Sequence, residues 1–248
     1  MNAIRISSRI AIIAGMLALA ACTTSQPTLQ ETRNLELDVP AGSRFVIDAG
    51  SGSLELRGEA GRSMIEVEAE IWQVEANDDY TLTLETDGDG VVRMVSRHGS
   101  GIGAGADRID LSIVVPESLE VRVDDGSGSV RVSDLIGNVE IEDGSGSIAV
   151  ARVGGDLTVD DGSGSFRAED ISGSLSIQDD SGSITIDGID GDVTIDDGSG
   201  SITVRNVGGV VSVSDGSGSI NVDGAGDFDL RDDGSGSVNV DNIRAERR

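Results

Sequence analysis

Aromatic side chains are nearly missing from this 248-residue chain, which holds one Trp, one Tyr and three Phe. An interior several side chains wide leans on such bulk, so a broad globular core is excluded and a thin one of Val and Ile fits better. Lysine is absent, and all 18 basic residues are Arg against 45 Asp and Glu. The resulting charge of −27 repels phosphate backbones, which excludes direct nucleic-acid binding and points to cations or basic partners. One cysteine cannot build a disulfide framework. One histidine, His98, lies in a glycine-rich stretch and reads as a solvated loop residue. No Ser/His/Asp set, zinc spacing or phosphate loop is present, so the chain does not read as an enzyme.

What the chain does have begins with its leader. Arg5 and Arg9 precede a short apolar run from Ile10 to Leu19, too short to span a bilayer and built like a secretory signal. The run ends Leu19-Ala20-Ala21-Cys22, which resembles the lipobox of bacterial lipoprotein precursors. The resemblance implies cleavage before Cys22 and acylation of that residue. Acyl chains at about 0.8 kcal/mol per buried methylene would then give a stable membrane anchor. Loss of the leader takes Arg5 and Arg9 with it and moves the charge two units further negative. Thr23, rather than Asp, follows the cysteine, which by resemblance to lipoprotein sorting implies the outer membrane, facing the periplasm or the surface. The polar stretch after it contains Pro27 and reads as a flexible tether. The chain therefore divides into a leader (1–21), the lipidated cysteine and tether (22–34), an N-terminal β cap (35–110), a repeat array (111–243) and a short tail (244–248).

The array is built on Asp-Gly-Ser-Gly-Ser, which returns every 18 residues. The aspartates are Asp125, Asp143, Asp161, Asp179, Asp197, Asp215 and Asp233, and only the first glycine slips, once, to Asp180. Such a period marks stacked supersecondary units. With each of these aspartates numbered 2, apolar residues hold positions 7 and 9 (Ile148 and Val150 in one unit) and 16 and 18 (Val139 and Ile141). Spacing of two makes two short strands per unit, each with one buried face. In the last unit Phe228 and Leu230 come one place early and Arg231 restores the phase, which predicts a small bulge. Asp-Gly is also a hairpin signal, but an antiparallel meander would leave a long apolar face with no amphipathic helix to cover it. The expected fold is all-β: a single-domain, parallel β-helix-like solenoid of 18-residue coils behind an irregular N-terminal β cap. The cap begins with the alternating Leu35-Glu-Leu-Asp-Val39 and contains an imperfect copy of the repeat turn, Asp48-Ala-Gly-Ser-Gly-Ser53.

The run Val114-Val115-Pro116, then Leu119-Glu-Val-Arg-Val123, followed by Gly-Ser-Gly-Ser and alternating Val and Ile, resembles the bacterial putative-adhesin family. The likeness covers about residues 35–243. It implies an extracytoplasmic β-solenoid linked to adhesion or the envelope, and brings no catalytic residues with it.

Two roles fit the repeated aspartates. Each side chain could accept a hydrogen bond from the N–H two residues on while its charge stays in water. Alternatively, Ca²⁺ or similar cations could bridge ladders at position 2 (Asp125, Asp143, Asp161, Asp179, Asp197, Asp215, Asp233) and position 1 (Asp124, Glu142, Asp160, Gln178, Asp196, Ser214, Asp232). Apart from that ion no cofactor is expected. The functional expectation is a lipid-anchored envelope rod with a non-catalytic adhesion, binding or scaffolding role, its partners the membrane and a glycan, a basic protein or cations. The alternative is a cation-binding or carbohydrate-active β-helix protein.

Overall fold

The computed structural model describes residues 5–8, 26–40, 42–99 and 107–244, and no helix occurs among them. Cys22 and the glycine-rich segment 100–106 lie outside the described residues. The N-terminal strands are β1 (Arg5–Ser8), β2 (Thr28–Asp38), β3 (Arg44–Glu59), β4 (Met64–Gln73), β5 (Tyr80–Thr86), β6 (Val92–His98), β7 (Arg108–Pro116) and β8 (Glu120–Leu135). From there short and long strands alternate. They are β9 (Val139–Asp143), β10 (Gly146–Val153), β11 (Leu157–Asp161), β12 (Gly164–Ile171), β13 (Leu175–Asp179) and β14 (Gly182–Ile189). The last six are β15 (Val193–Asp197), β16 (Gly200–Val207), β17 (Val210–Asp215), β18 (Ser217–Asp223), β19 (Asp227–Asp232) and β20 (Ser235–Asp241).

Every strand of the array pairs in parallel with the equivalent strand one coil away. Ile148 lies opposite Val130 on one side and Phe166 on the other, and Ile141 lies between Val123 and Val159. Hairpins would have given antiparallel neighbours; these are the two walls of a β-solenoid. One long-strand wall runs β8, β10, β12, β14, β16, β18, β20, and one short-strand wall runs β8, β9, β11, β13, β15, β17, β19. Parallel strands lie evenly stacked only if their lengths match, which the fixed period guarantees. The bulge falls where the sequence places it: Val213 pairs with Leu230 and Ser214 with Asp232, leaving Arg231 out of the ladder.

The interior is a set of one-residue-wide columns. Val130, Ile148, Phe166, Ile184, Ile202 and Ile220 are all buried, as are Leu135, Val153, Ile171, Ile189, Val207 and Ala225. Two walls this close leave little room for larger side chains, and the shortage of aromatics follows.

The corners explain the rest of the repeat. In Ser-Gly-Ser the glycine has φ between +138° and +154°, from Gly128 to Gly218. A Cβ there would sit within 2 Å of the carbonyl oxygen of the glycine below, for example 1.7 Å from Gly146 O at Gly164. Both the angle and the close approach require glycine. A second corner puts position 11 in the left-handed region at Asp134, Arg152, Asp170, Gly188, Asn206, Gly224 and Asn242. Asp, Asn and Gly tolerate that region best; Arg152 is compensated by a two-pronged pair with Asp134 directly below it, at 2.6 and 2.9 Å. At position 15 each side chain accepts from the backbone N–H of its copy one coil on. Asn138 Oδ1 receives Asp156 N, Asp156 Oδ1 receives Ser174 N, Ser174 Oγ receives Asp192 N and Asp192 Oδ1 receives Val210 N.

The stretch read as an irregular cap supplies two further coils. β3 stacks in parallel on β8 through both walls and the corner, with Ser51, Gly52 and Ser53 opposite Ser127, Gly128 and Ser129. Below it, β6 and β7 pair in parallel with the two halves of β3. The insertion of other strands between these coils hides their period in the sequence but not in space. True closure comes from antiparallel strands: β4 on β7, β2 on β4 and β5 on β6; β1, which lies within the segment read as a leader, also pairs antiparallel with β2. The Tyr80 hydroxyl donates to Glu31 across the two walls, and the Arg33 guanidinium lies 5.3 Å from the Tyr80 ring centre.

Gly61 sits at φ +72° in an exposed turn, and a Cβ added there would meet nothing within 4 Å. Gly61→Ala should therefore cost only the left-handed backbone penalty of about 1–2 kcal/mol. Gly164→Ala should cost more than the roughly 3 kcal/mol that bounds ordinary substitutions, measured by chemical denaturation.

Candidate functional site

The repeated aspartates face inward. Along β9 the inward side chains are Val139, Ile141 and Asp143, while Glu140 and Glu142 turn out. The alternation that buries positions 16 and 18 simply runs on into position 2. Asp125, Asp143, Asp161, Asp179, Asp197 and Asp215 are between 1% and 6% exposed. Asp233, in the last described coil, is exposed. At the other end of the column the position opposite Asp125 is Ala49, so the stack of carboxyls ends on a methyl group.

The expected turn bond is present. Oδ1 of Asp143, Asp161, Asp179, Asp197 and Asp215 accepts from the N–H of Ser145, Ser163, Ser181, Ser199 and Ser217, at 3.0–3.1 Å. Solvation of the charge is not observed, because the corner closes over it. Oδ2 of Asp125, Asp143, Asp161, Asp179 and Asp197 is buried with no hydrogen-bond partner. Burial first, then the charge of neighbouring aspartates, pushes Asp125 up to about 7 and Asp161 and Asp197 up to about 6. Burial likewise raises Asp143, Asp179 and Asp215.

Period-two alternation also sends position 1 to the opposite side of the strand from position 2. Glu142 is held on the outer face by Arg122, which also pairs with Glu140. The two ladders therefore do not converge. Among the described residues no group of three His, Cys, Asp or Glu side chains is gathered in a way that could hold a metal ion.

His98 ends β6 rather than sitting free in a loop; its ring centre is 6.4 Å from that of Tyr80 and its Nε2 is buried without a partner. The neighbouring Tyr80 hydroxyl is pushed up to about 12, by burial and then by Glu31. This cluster braces the N-terminal closure and contains no activated nucleophile. Among the described residues, hollows open near the N-terminal strands. One lies over Glu36, Glu66, Glu68 and Ser112, another beside Gln30, Gln73, Asn77 and Tyr80.

No family model matches this chain, and no curated protein matches it. Among solved structures it is similar to a putative cell adhesion protein from Clostridium sporogenes, at 13% identity and a TM-score of 0.36, covering 85% of this chain and 99% of the other. It is also similar to a putative adhesin from Bacteroides fragilis, at 14% identity and a TM-score of 0.40, covering 87% and 99%. At these values no binding or activity transfers to this chain.

The sequence points to the aspartates but not to their direction or their orphan oxygens; the signal for both is the phase shared by positions 16, 18 and 2. Asp161→Ala leaves the Ser163 N–H unpaired in the corner and should lower the unfolding free energy by about 1–3 kcal/mol. Asp161→Asn keeps the acceptor and should avoid that loss, as equilibrium denaturation of the two variants will report.

Proposed function

We propose that this protein is a lipid-anchored cell-envelope rod that acts by non-catalytic adhesion, binding or scaffolding. The observation that carries this is the pairing of the Leu19-Ala20-Ala21-Cys22 motif with a solenoid whose walls continue without interruption from coil to coil. With β3, β6 and β5 continuing it at the N-terminal end, the short-strand wall stacks ten strands at about 4.8 Å, roughly 45 Å in all and long enough to hold a binding face clear of the lipid headgroups. That face is flat. Its outward residues form ladders such as Thr158, Ser176 and Thr194, beside acidic positions such as Asp160 and Asp196. Repeated hydroxyls and carboxylates on a stiff support suit an extended glycan or a basic protein better than a small molecule, which needs a concave site. Sorting through Thr23 would direct the rod to the outer membrane.

Growth with a labelled fatty acid should mark the protein and send it to the membrane fraction. Cys22→Ser should abolish both while leaving the β-rich circular dichroism unchanged. Persistent labelling of Cys22→Ser would end the proposal of an anchor. Measurable cleavage of acidic polysaccharides by the purified protein would end the non-catalytic part.

A further inference from the structure

We propose that the inward aspartates take up protons as the solenoid folds: a carboxyl whose Oδ2 is buried without a partner, stacked on like carboxyls above and below, is held neutral rather than charged.

The geometry sets this up in three ways. In-register pairing puts Asp125 opposite Asp143, Asp143 opposite Asp161, and so on to Asp215, at the strand spacing of about 4.8 Å. From Asp143 to Asp197 each Oδ1 is already tied to a backbone N–H, which fixes the carboxyl and leaves its Oδ2 buried with no donor. The orphaned oxygens belong to side chains more than nine-tenths buried, and a buried carboxylate without a partner is strongly disfavoured. A proton bound to one of them removes its charge and the repulsion it exerts on the carboxyls above and below.

No other group supplies what a proton would. The charged residues acting on the column are themselves acidic: Asp124, Asp160, Asp180 and Asp196 next to it in the chain, and Asp233 beyond Asp215. The arginines on this wall turn outward, Arg122 to Glu140 and Glu142 and Arg97 to Asp48. The rest of the buried interior among the described residues is an apolar cluster. Ala49 is apolar where a further carboxyl would have a neighbour on one side only.

The direction of the linkage follows. These carboxyls titrate higher in the folded protein than the ordinary 3.8, near 6 for Asp161 and Asp197 and near 7 for Asp125. Their contribution to stability is complete below about pH 4 and is lost as pH rises through 6 to 7. The rod is an acid-stabilised device, whether or not Cys22 carries lipid.

Infrared spectra of the protein labelled with ¹³C-aspartate test this directly. The folded protein at pH 6 should show the carbonyl stretch of a protonated carboxyl, and denaturant should remove it. Asp143→Asn/Asp179→Asn places neutral side chains between the remaining carboxyls while keeping the Oδ1 acceptor. It should be more stable than the parent at pH 8 and lose roughly half or more of the pH dependence between 5 and 8. Asp160→Asn/Asp196→Asn removes the same charge from the outer face and should leave that dependence in place. Absence of the protonated band, or equal flattening by the outer pair, would overturn the proposal. So would a calcium-induced rise in the denaturation midpoint at pH 8 that the inner pair abolishes, since a metal ion would then be filling the role of the proton.

Discussion

The constraint on which this molecule depends is registry. A parallel ladder stepping by 18 residues places every side chain against its own counterpart above and below, as with Ile148 between Val130 and Phe166. The environment of a residue is therefore set by its copies. Valine on valine packs, glycine on glycine lets two backbones approach, and aspartate on aspartate creates a problem the surroundings must solve. The repetitiveness of the sequence is the chemical result of that self-contact, and composition follows from it. A two-walled interior one side chain deep has places for Val, Ile and Leu and few for Phe or Trp.

Much of this is legible in the chain alone. The period, the two strands per unit and the bulge at Arg231 all rest on spacing, and spacing survives folding unchanged. Two things cannot be read that way. β3 belongs to the stack although β4 to β7 intervene before its partner β8, because contact in space does not require contiguity in sequence. The inward direction of the aspartates is obscured because polarity argues for solvent while phase argues for the interior. Phase wins at this corner: the backbone N–H of Ser145 and its copies needs an acceptor, and only an inward Asp provides one. The position-15 acceptors are hidden for a related reason. Asn, Asp and Ser at Asn138, Asp156 and Ser174 look like ordinary loop composition until the coils are laid one on another.

The acidity of the chain has two separate meanings. Outer carboxylates such as Glu140 and Glu142 are exposed enough to be screened, and they find arginines. Such pairs stabilise little and mainly set what the surface will tolerate beside it. The inner carboxylates are buried and pair with no arginine among the described residues, and their state is coupled to folding itself. Net charge alone would treat the two populations alike.

The relay of acceptors at position 15 gives the rod a grain. Each side chain serves the coil that follows, and Val210 can serve none. A duplicated coil inserted between Asp156 and Ser174 would find its acceptor waiting and offer one in turn. Past Val210 the acceptor comes from the main chain instead, the Asp227 N–H donating to Gly209 O. Lengthening by tandem duplication thus keeps the side-chain relay through the middle of the array and falls back on main-chain acceptors once a valine takes position 15.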